Sequence, residues 1–264
     1  MIIYKSEEEI RVARLSSQIV ARILAELKHL VKPGVRTIDL DTFAEARCRE
    51  MGAVPAFKGY RGYPASLCTS INEEIIHGIP SRRTLREGDI ISLDFGVLYE
   101  GYYGDSTVTL PVGNVSPLAS RLISAAEQSF YSGIEEMKLG NRLSDISAAV
   151  QRAVEAEGFS VIRAFVGHGI GHSLHEDPQV PNFGLPGSGP KIKPGLMLAI
   201  EPMIAAGGWE VEIQEDRWTA VTKDRSLAAH YEHTVVATEK GVEVLSLWEE
   251  EERDLPHQKE NRYA

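Results

Sequence analysis

Four carboxylates in this chain lie in segments that otherwise look buried, and they constrain its fold more than any other feature. Asp94 interrupts the apolar run Ile90-Ile91-Ser92-Leu93-Asp94-Phe95-Gly96. Asp105 follows Gly104 and precedes Ser-Thr-Val-Thr. Glu201 sits in Leu196-Met-Leu-Ala-Ile-Glu-Pro-Met203, and Glu232 leads into His-Thr-Val-Val-Ala-Thr. Each segment reads as a strand. Removing even one carboxylate from water costs several kcal/mol unless it is compensated, and four acids facing one interior repel each other as well. Bound metal is the simplest compensation. His168, between glycines in Gly167-His168-Gly169-Ile170-Gly171, adds a nitrogen donor where the backbone can approach closely. Oxygen donors with one imidazole suit Mn, Fe(II), Co or Zn, and this many donors suggest two ions. Two ions about 3.5–4 Å apart can share a water with a pKa near 7 and clamp a substrate carbonyl. Metal-assisted hydrolysis is the expected chemistry.

Other catalytic signatures fail. The chain has no Gly-x-Ser-x-Gly elbow. Gly167-x-Gly169 lacks the third glycine of a dinucleotide loop, because position 172 is His. His175-Glu176 is followed by Asp177-Pro178, so there is no His-Glu-x-x-His. Cys48 and Cys68 are too few for a disulfide framework and lack metal-binding spacing, which suits reduced thiols in the cytoplasm. A net charge of -10 excludes the basic footprint of a nucleic-acid binder. The N-terminal stretch has no basic and apolar regions of a secretory signal, and no apolar run reaches a membrane span.

The pattern of elements suggests an α+β domain. Ser6 and Glu9 form a capping box ahead of a long helix with an apolar stripe from Ile10 through Leu15 to Leu30, stopped at Pro33-Gly34. Thr37 is expected to cap a second helix. Residues 66–72 read as a strand, and 89–98 with 102–112 as a hairpin. Ser116-Pro117 opens a third helix and Ser144 is expected to cap a fourth. Further strands are expected near 160–165, 196–204, 211–214, 218–222 and 231–238, with a loop over 180–194. Helices then strands, twice over, imply two similar halves in one domain, residues 1–248. Residues 249–264, with four consecutive glutamates, read as an acidic, flexible tail.

The hairpin arms can bring Asp94 and Asp105 together across strands. His77 and His175 are candidates for substrate contact and for stabilising an oxyanion. His172, His230 and His233 are expected to be outer-shell or surface residues.

Taken in order, Asn72-Glu-Glu-Ile-Ile-His77-Gly-Ile-Pro80, Leu93-Asp94-Phe-Gly96, Gly104-Asp105, Gly167-His168-Gly-Ile-Gly171, His175-Glu-Asp-Pro178, Glu201-Pro-Met203 and Tyr231-Glu232-His-Thr234 resemble the type I methionine aminopeptidases. The resemblance covers roughly residues 5–245. It implies the pita-bread fold: a curved antiparallel sheet backed by helices, in two pseudo-symmetric halves. It implies that Asp94 chelates one metal ion, that His168 and Glu201 hold another, and that Asp105 and Glu232 bridge them. By the same resemblance His77 and His175 contact substrate, and Glu201 doubles as proton shuttle for the bridging water. Only 30 residues separate Glu201 from Glu232, which leaves no room for the helical insertion of type II relatives.

Tyr60, Tyr63, Cys68, Leu174 and Trp218 match positions lining a methionine pocket, and aromatic walls with a thiol suit a flexible thioether. Phe57, Arg61 and Leu174 depart from the residues common at their positions (cysteine, histidine and phenylalanine), which bears on pocket size rather than chemistry. The implied reaction removes the initiator methionine from nascent polypeptide N-termini when the second residue is small. The implied enzyme is a cytoplasmic monomer needing two divalent ions, with the ribosome a candidate partner and no membrane partner. Two rivals remain. Proline-specific relatives usually carry Glu-Pro-Gly and Arg-x-Glu-Asp, where this chain has Glu201-Pro202-Met203 and Tyr231-Glu232-His233. A non-catalytic binding module would tend to lose metal ligands, and all five are present.

Overall fold

A computed structural model describes residues 1–248; the expected acidic tail, 249–264, lies outside the described residues. Helix α1 (Glu7–Lys28) starts as expected: Ser6 and Glu9 exchange hydrogen bonds, and three glutamates in the first turn suit the positive end of the helix dipole. Its buried stripe is Ile10, Ala13, Ile19, Ile23, Leu24 and Leu27, whereas Leu15 faces outward. Helix α2 (Thr37–Glu50) begins one residue early, with Arg36 as its cap. Thr37 does not cap, because its hydroxyl is engaged with the Ser81 backbone, accepting from N–H at 2.8 Å and donating to C=O at 3.1 Å.

Strands β1 (Val54–Pro55), β2 (Cys68–Ile71) and β3 (Glu74–Ile76) precede the long hairpin β4 (Ile90–Tyr99) and β5 (Tyr102–Pro111). The hairpin turns on Glu100 and Gly101, both at positive φ (48° and 82°), as a tight primed turn requires. Helix α3 (Pro117–Ile134) is capped by the Ser116 hydroxyl. Helix α4 (Leu143–Ala156) is capped at Arg142. Ser144 lies inside the first turn and donates to Ser188 C=O instead.

The second half is more broken than its sequence suggests. It comprises β6 (Ser160–Val161), β7 (Val166–Gly169), β8 (Glu176–Pro181), β9 (Met197–Ile200), β10 (Met203–Ala205), β11 (Val211–Ile213), β12 (Ala220–Thr222), β13 (Ala228–His230), β14 (Glu232–Thr238) and β15 (Gly241–Val244). The strand expected over 160–165 shrinks to two residues. The run expected over 196–204 splits at Glu201-Pro202, where proline has no N–H for the ladder. The loop expected from 180 starts later, because β8 extends to Pro181.

The principal sheet has the order β1-β4-β5-β14-β9-β7-β8, with β2 on β4 and β15 on β14, and its strands pair antiparallel. Two three-stranded sheets, β13-β10-β6 and β11-β12-β3, flank it. Helix α1 packs on β4 and β5, α3 packs on α4, β5 and β13, and the main core lies between helices and sheet. Strand alternation then sorts side chains by face. Ile91, Leu93, Phe95 and Val97 of β4, with Val108 and Leu110 of β5, enter that core. Asp94, Asp105, Thr107 and Glu232 face the other way.

Candidate metal centre

Register fixes the acids. Asp94 pairs with Thr107 and Gly96 with Asp105 across β4–β5, while Thr107 pairs with Glu232 across β5–β14. The three acids therefore share one face, next to Thr107, whose hydroxyl donates to Glu232 Oε2 at 2.8 Å. The fourth, Glu201, sits just past β9, the neighbour of β14. His168 comes from β7, paired with Ala199 of β9. A Cβ at Gly169 would lie 2.2 Å from Asp177 O and one at Gly167 2.5 Å from Ala199 O, so the glycines around His168 let three strands close on it.

Donor atoms of Asp105, His168 and Glu232 lie within 4.8 Å of one another. His168 Nε2 stands 3.6 Å from Glu201 Oε1. Asp94 Oδ1 and Asp105 Oδ1 are shielded from solvent and have no hydrogen-bond partner among the described residues. Orphaned carboxylate oxygens aimed into one buried space are what a divalent cation would satisfy.

The electrostatics agree. Burial pushes the Asp94 carboxyl up to about 7, against hydrogen bonding from Thr107 and Cys68. Burial, then the charges of Glu232, Asp94 and Glu201, holds Asp105 well above the usual carboxylate range. Glu201 is raised by burial and by Glu232 and Asp94, and Glu232 by burial and Asp94. Without cations these acids keep protons near neutrality; with cations they would lose them. Burial lowers His168 to about 3, so its ring is neutral. Its Nδ1 lies 2.9 Å from Gly169 C=O, which only accepts, so Nδ1 carries the proton and Nε2 is free as a donor atom.

The expected substrate residues adjoin this centre. Tyr63, Cys68 and Leu174 are buried in one apolar cluster with Phe57, and Tyr60 and Trp218 pack against it. Cys68 pairs with Asp94 across β2–β4, so the apolar cluster and the acids meet at one strand position. Tyr63 meets Trp218 edge-on at 5.1 Å and donates to Gly78 C=O at 3.0 Å. His77, at φ 60°, lies edge-on to Phe165 and Trp218, and burial lowers it to about 4. His175 is exposed at the mouth. Its ring lies 4.2 Å from that of His168 and stacks on Tyr60, whose hydroxyl is 2.9 Å from Nδ1. Burial, then the Arg61 charge, lowers His175.

Three features were not resolved by the sequence. It left His172, His230 and His233 between the outer shell and the surface, and of these His230 and His233 are buried and His172 is exposed. Residue parity could have placed His230 with Glu232, two positions on. Thr107 was readable from the hairpin register. The third, a buried ion pair in which Lys5 Nζ lies 2.6 Å from Glu176 Oε2 beside His175, gives no local signal because 171 residues separate the partners.

The profile of metallopeptidase family M24 matches residues 11–239. A methionine aminopeptidase of Clostridium acetobutylicum is 52% identical over 250 residues, 94% of this chain and 100% of that protein. The crystal structure of methionine aminopeptidase from Thermotoga maritima superposes with a TM-score of 0.92 at 43% identity, covering 94% of this chain and all of that one. The fold is therefore the expected pita-bread α+β arrangement. The prolidase from Pyrococcus furiosus reaches a TM-score of 0.74 at 22% identity and covers 92% of this chain but only 65% of that one, a likeness of fold alone.

Proposed function

The chain belongs to metallopeptidase family M24, and we propose on that premise that it removes methionine from polypeptide N-termini. The observation that carries this reading is the apolar cluster of Tyr63, Cys68 and Leu174, with Tyr60 and Trp218 packed against it, set beside the acid cluster through the Cys68–Asp94 pairing. An unbranched thioether fits such a pocket, and the peptide bond that follows it would lie over the acids. The substrates are nascent chains with a small second residue, met in the cytoplasm. Residues 1–248 act as one metallopeptidase domain. No helix among the described residues is long and apolar enough to cross a membrane.

Asp94, Asp105, His168, Glu201 and Glu232 would hold two divalent ions, of Co, Mn, Fe(II) or Zn. Such ions supply Lewis acidity and make water acidic enough to ionise near neutral pH. The chain's own residues do the rest. Glu201 takes a proton from the attacking water and delivers it to the departing amine nitrogen. The Tyr60 hydroxyl lies 2.9 Å from His175 Nδ1, and in the tautomer where it donates there the His175 proton sits on Nε2, free to be donated to the developing oxyanion. His77, neutral at pH 7, offers the second contact to the substrate backbone.

The test is hydrolysis of Met-Gly-Met-Met against Gly-Pro and Ala-Pro peptides, with EDTA and with added Mn, Co or Fe(II). Methionine release abolished by EDTA and restored by metal supports the reading. Cleavage of the proline peptides instead would move the protein to the prolidase branch, and cleavage of neither would leave a binding module.

A further inference from the structure

We propose that His230 is an additional ligand of the metal centre, giving it a second imidazole nitrogen. This rests on the reading that Glu201 and Glu232 hold divalent ions.

His230 closes β13 and is 2% exposed, yet neither ring nitrogen has a hydrogen-bond partner in the described structure. A buried donor or acceptor left unsatisfied costs about 1–3 kcal/mol. The backbone that carries the ring is nevertheless firmly placed. Its backbone N–H donates to Thr109 Oγ1 at 2.9 Å and its C=O accepts from the same hydroxyl at 2.7 Å. Met203 pairs with His230 across β10–β13, and Tyr231 N–H donates to Pro202 C=O, so the residue's backbone is anchored beside the Glu201-Pro202 break.

His230 Nε2 lies 3.8 Å from Glu201 Oε2 and 4.0 Å from Glu232 Oε2. Both separations are too long for hydrogen bonds. Each separation taken singly is within the span of two donors to one ion: donors each about 2.1 Å from a cation stand roughly 3 Å apart when adjacent and about 4.2 Å when opposite. His168, an expected ligand, provides an internal standard, with Nε2 3.6 Å from Glu201 Oε1. The Glu201 carboxylate thus lies between two imidazoles, one facing each oxygen at nearly the same distance. A cation at Glu201 Oε2 would give the His230 lone pair the partner it lacks. A second nitrogen would also tilt the centre from Mn toward Fe(II), Co and Zn.

The experiment uses the full-length protein loaded with Mn(II), with and without 15N-labelled histidine, and pulsed electron paramagnetic resonance to count coupled imidazole nitrogens. The expected result is two imidazole couplings in the wild type, one in His230→Gln, and a 10-fold or greater rise in a Mn(II) dissociation constant of that variant by calorimetry. The wild-type count stands even if the variant folds poorly. One coupling in the wild type, unchanged in number by His230→Gln, overturns the proposal while leaving the centre itself intact. No Mn(II) binding and no coupling in the wild type would overturn the metal centre as well.

Discussion

Asp105 stands opposite Gly96, not opposite Asp94, on the β4–β5 hairpin. The two aspartates are diagonal neighbours on one face, and Gly96 leaves the space beside Asp105 open. A Cβ at Gly96 would come within 3.2 Å of Asp105 Oδ1 and 2.8 Å of Phe57 Cε1. Gly96→Ala should therefore weaken Mn(II) binding about 10-fold by displacing that oxygen, while costing about 1–3 kcal/mol of stability through overpacking. Calorimetric titration with Mn(II) checks it. Unaltered affinity would mean that the gap beside Asp105 plays no part in binding.

Glu201→Gln should lower turnover by orders of magnitude, about 10² or more, while the protein stays folded, because it removes the proposed ligand charge and the proposed proton carrier together. Turnover near wild type in a metal-loaded variant would refute both roles.

Tyr60→Phe removes the hydroxyl 2.9 Å from His175 Nδ1 but keeps the stacked ring. Losing one hydrogen bond of about 1 kcal/mol should reduce kcat/KM about 5-fold, with metal content unchanged. An unchanged kcat/KM would show that His175 does not need Tyr60 to set its tautomer.

Stability without metal should fall as pH rises above about 7. Asp94 is held up at about 7, and Asp105, Glu201 and Glu232 well above their usual range, whereas in the unfolded chain such acids ionise near pH 4. Asp94 therefore keeps its extra proton only up to about pH 7, and above that the decline comes from Asp105, Glu201 and Glu232, each proton retained by the folded state alone costing about 1.4 kcal/mol per pH unit. Below about pH 6.5 the buried histidines oppose this trend. His77 is lowered to about 4, and His168, His230 and His233 to about 3, so the unfolded chain takes up protons first. Urea midpoints at about pH 7 and 8.5 should decline in EDTA and hold steady with Mn(II). A midpoint that rises with pH in EDTA would contradict the protonated cluster.

Lys5→Met should destabilise the protein by about 3–5 kcal/mol, because it strands Glu176 in a buried pair whose lysine side chain is 0% and glutamate 8% exposed. Glu176 also accepts from Ser173 N–H at 3.1 Å, so the His175 loop should loosen. Thermal unfolding reads the first effect and hydrogen exchange across 171–177 the second.

The centre was legible because burial and charge conflict openly in the sequence. Asp94 inside an Ile/Leu/Phe strand and Glu201 inside Leu-Ala-Ile have few explanations other than a cation, and antiparallel register does the rest. The short strands of the second half were less legible. Runs such as 196–204 are apolar throughout, so periodicity could not show the break that Pro202 imposes. His230 was left open between the outer shell and the surface because an imidazole suits either, and only the pairing of β10 with β13 seals it in. Caps were misplaced by one or two residues where Thr37 and Ser144 found distant backbone partners, which local rules cannot see.

The hairpin supplying Asp94 and Asp105 belongs to the first half of the chain, and His168, Glu201 and Glu232 to the second. Divalent ions held among them would work as a reversible cross-link between distant stretches of one polypeptide. The helices carry the cores of the two halves, but the seam where β5 meets β14 lies beside the acids. Chelation would then do more than silence chemistry: it would turn the middle of the sheet from its best-fastened part into a knot of buried acids that must take up protons to avoid repelling one another.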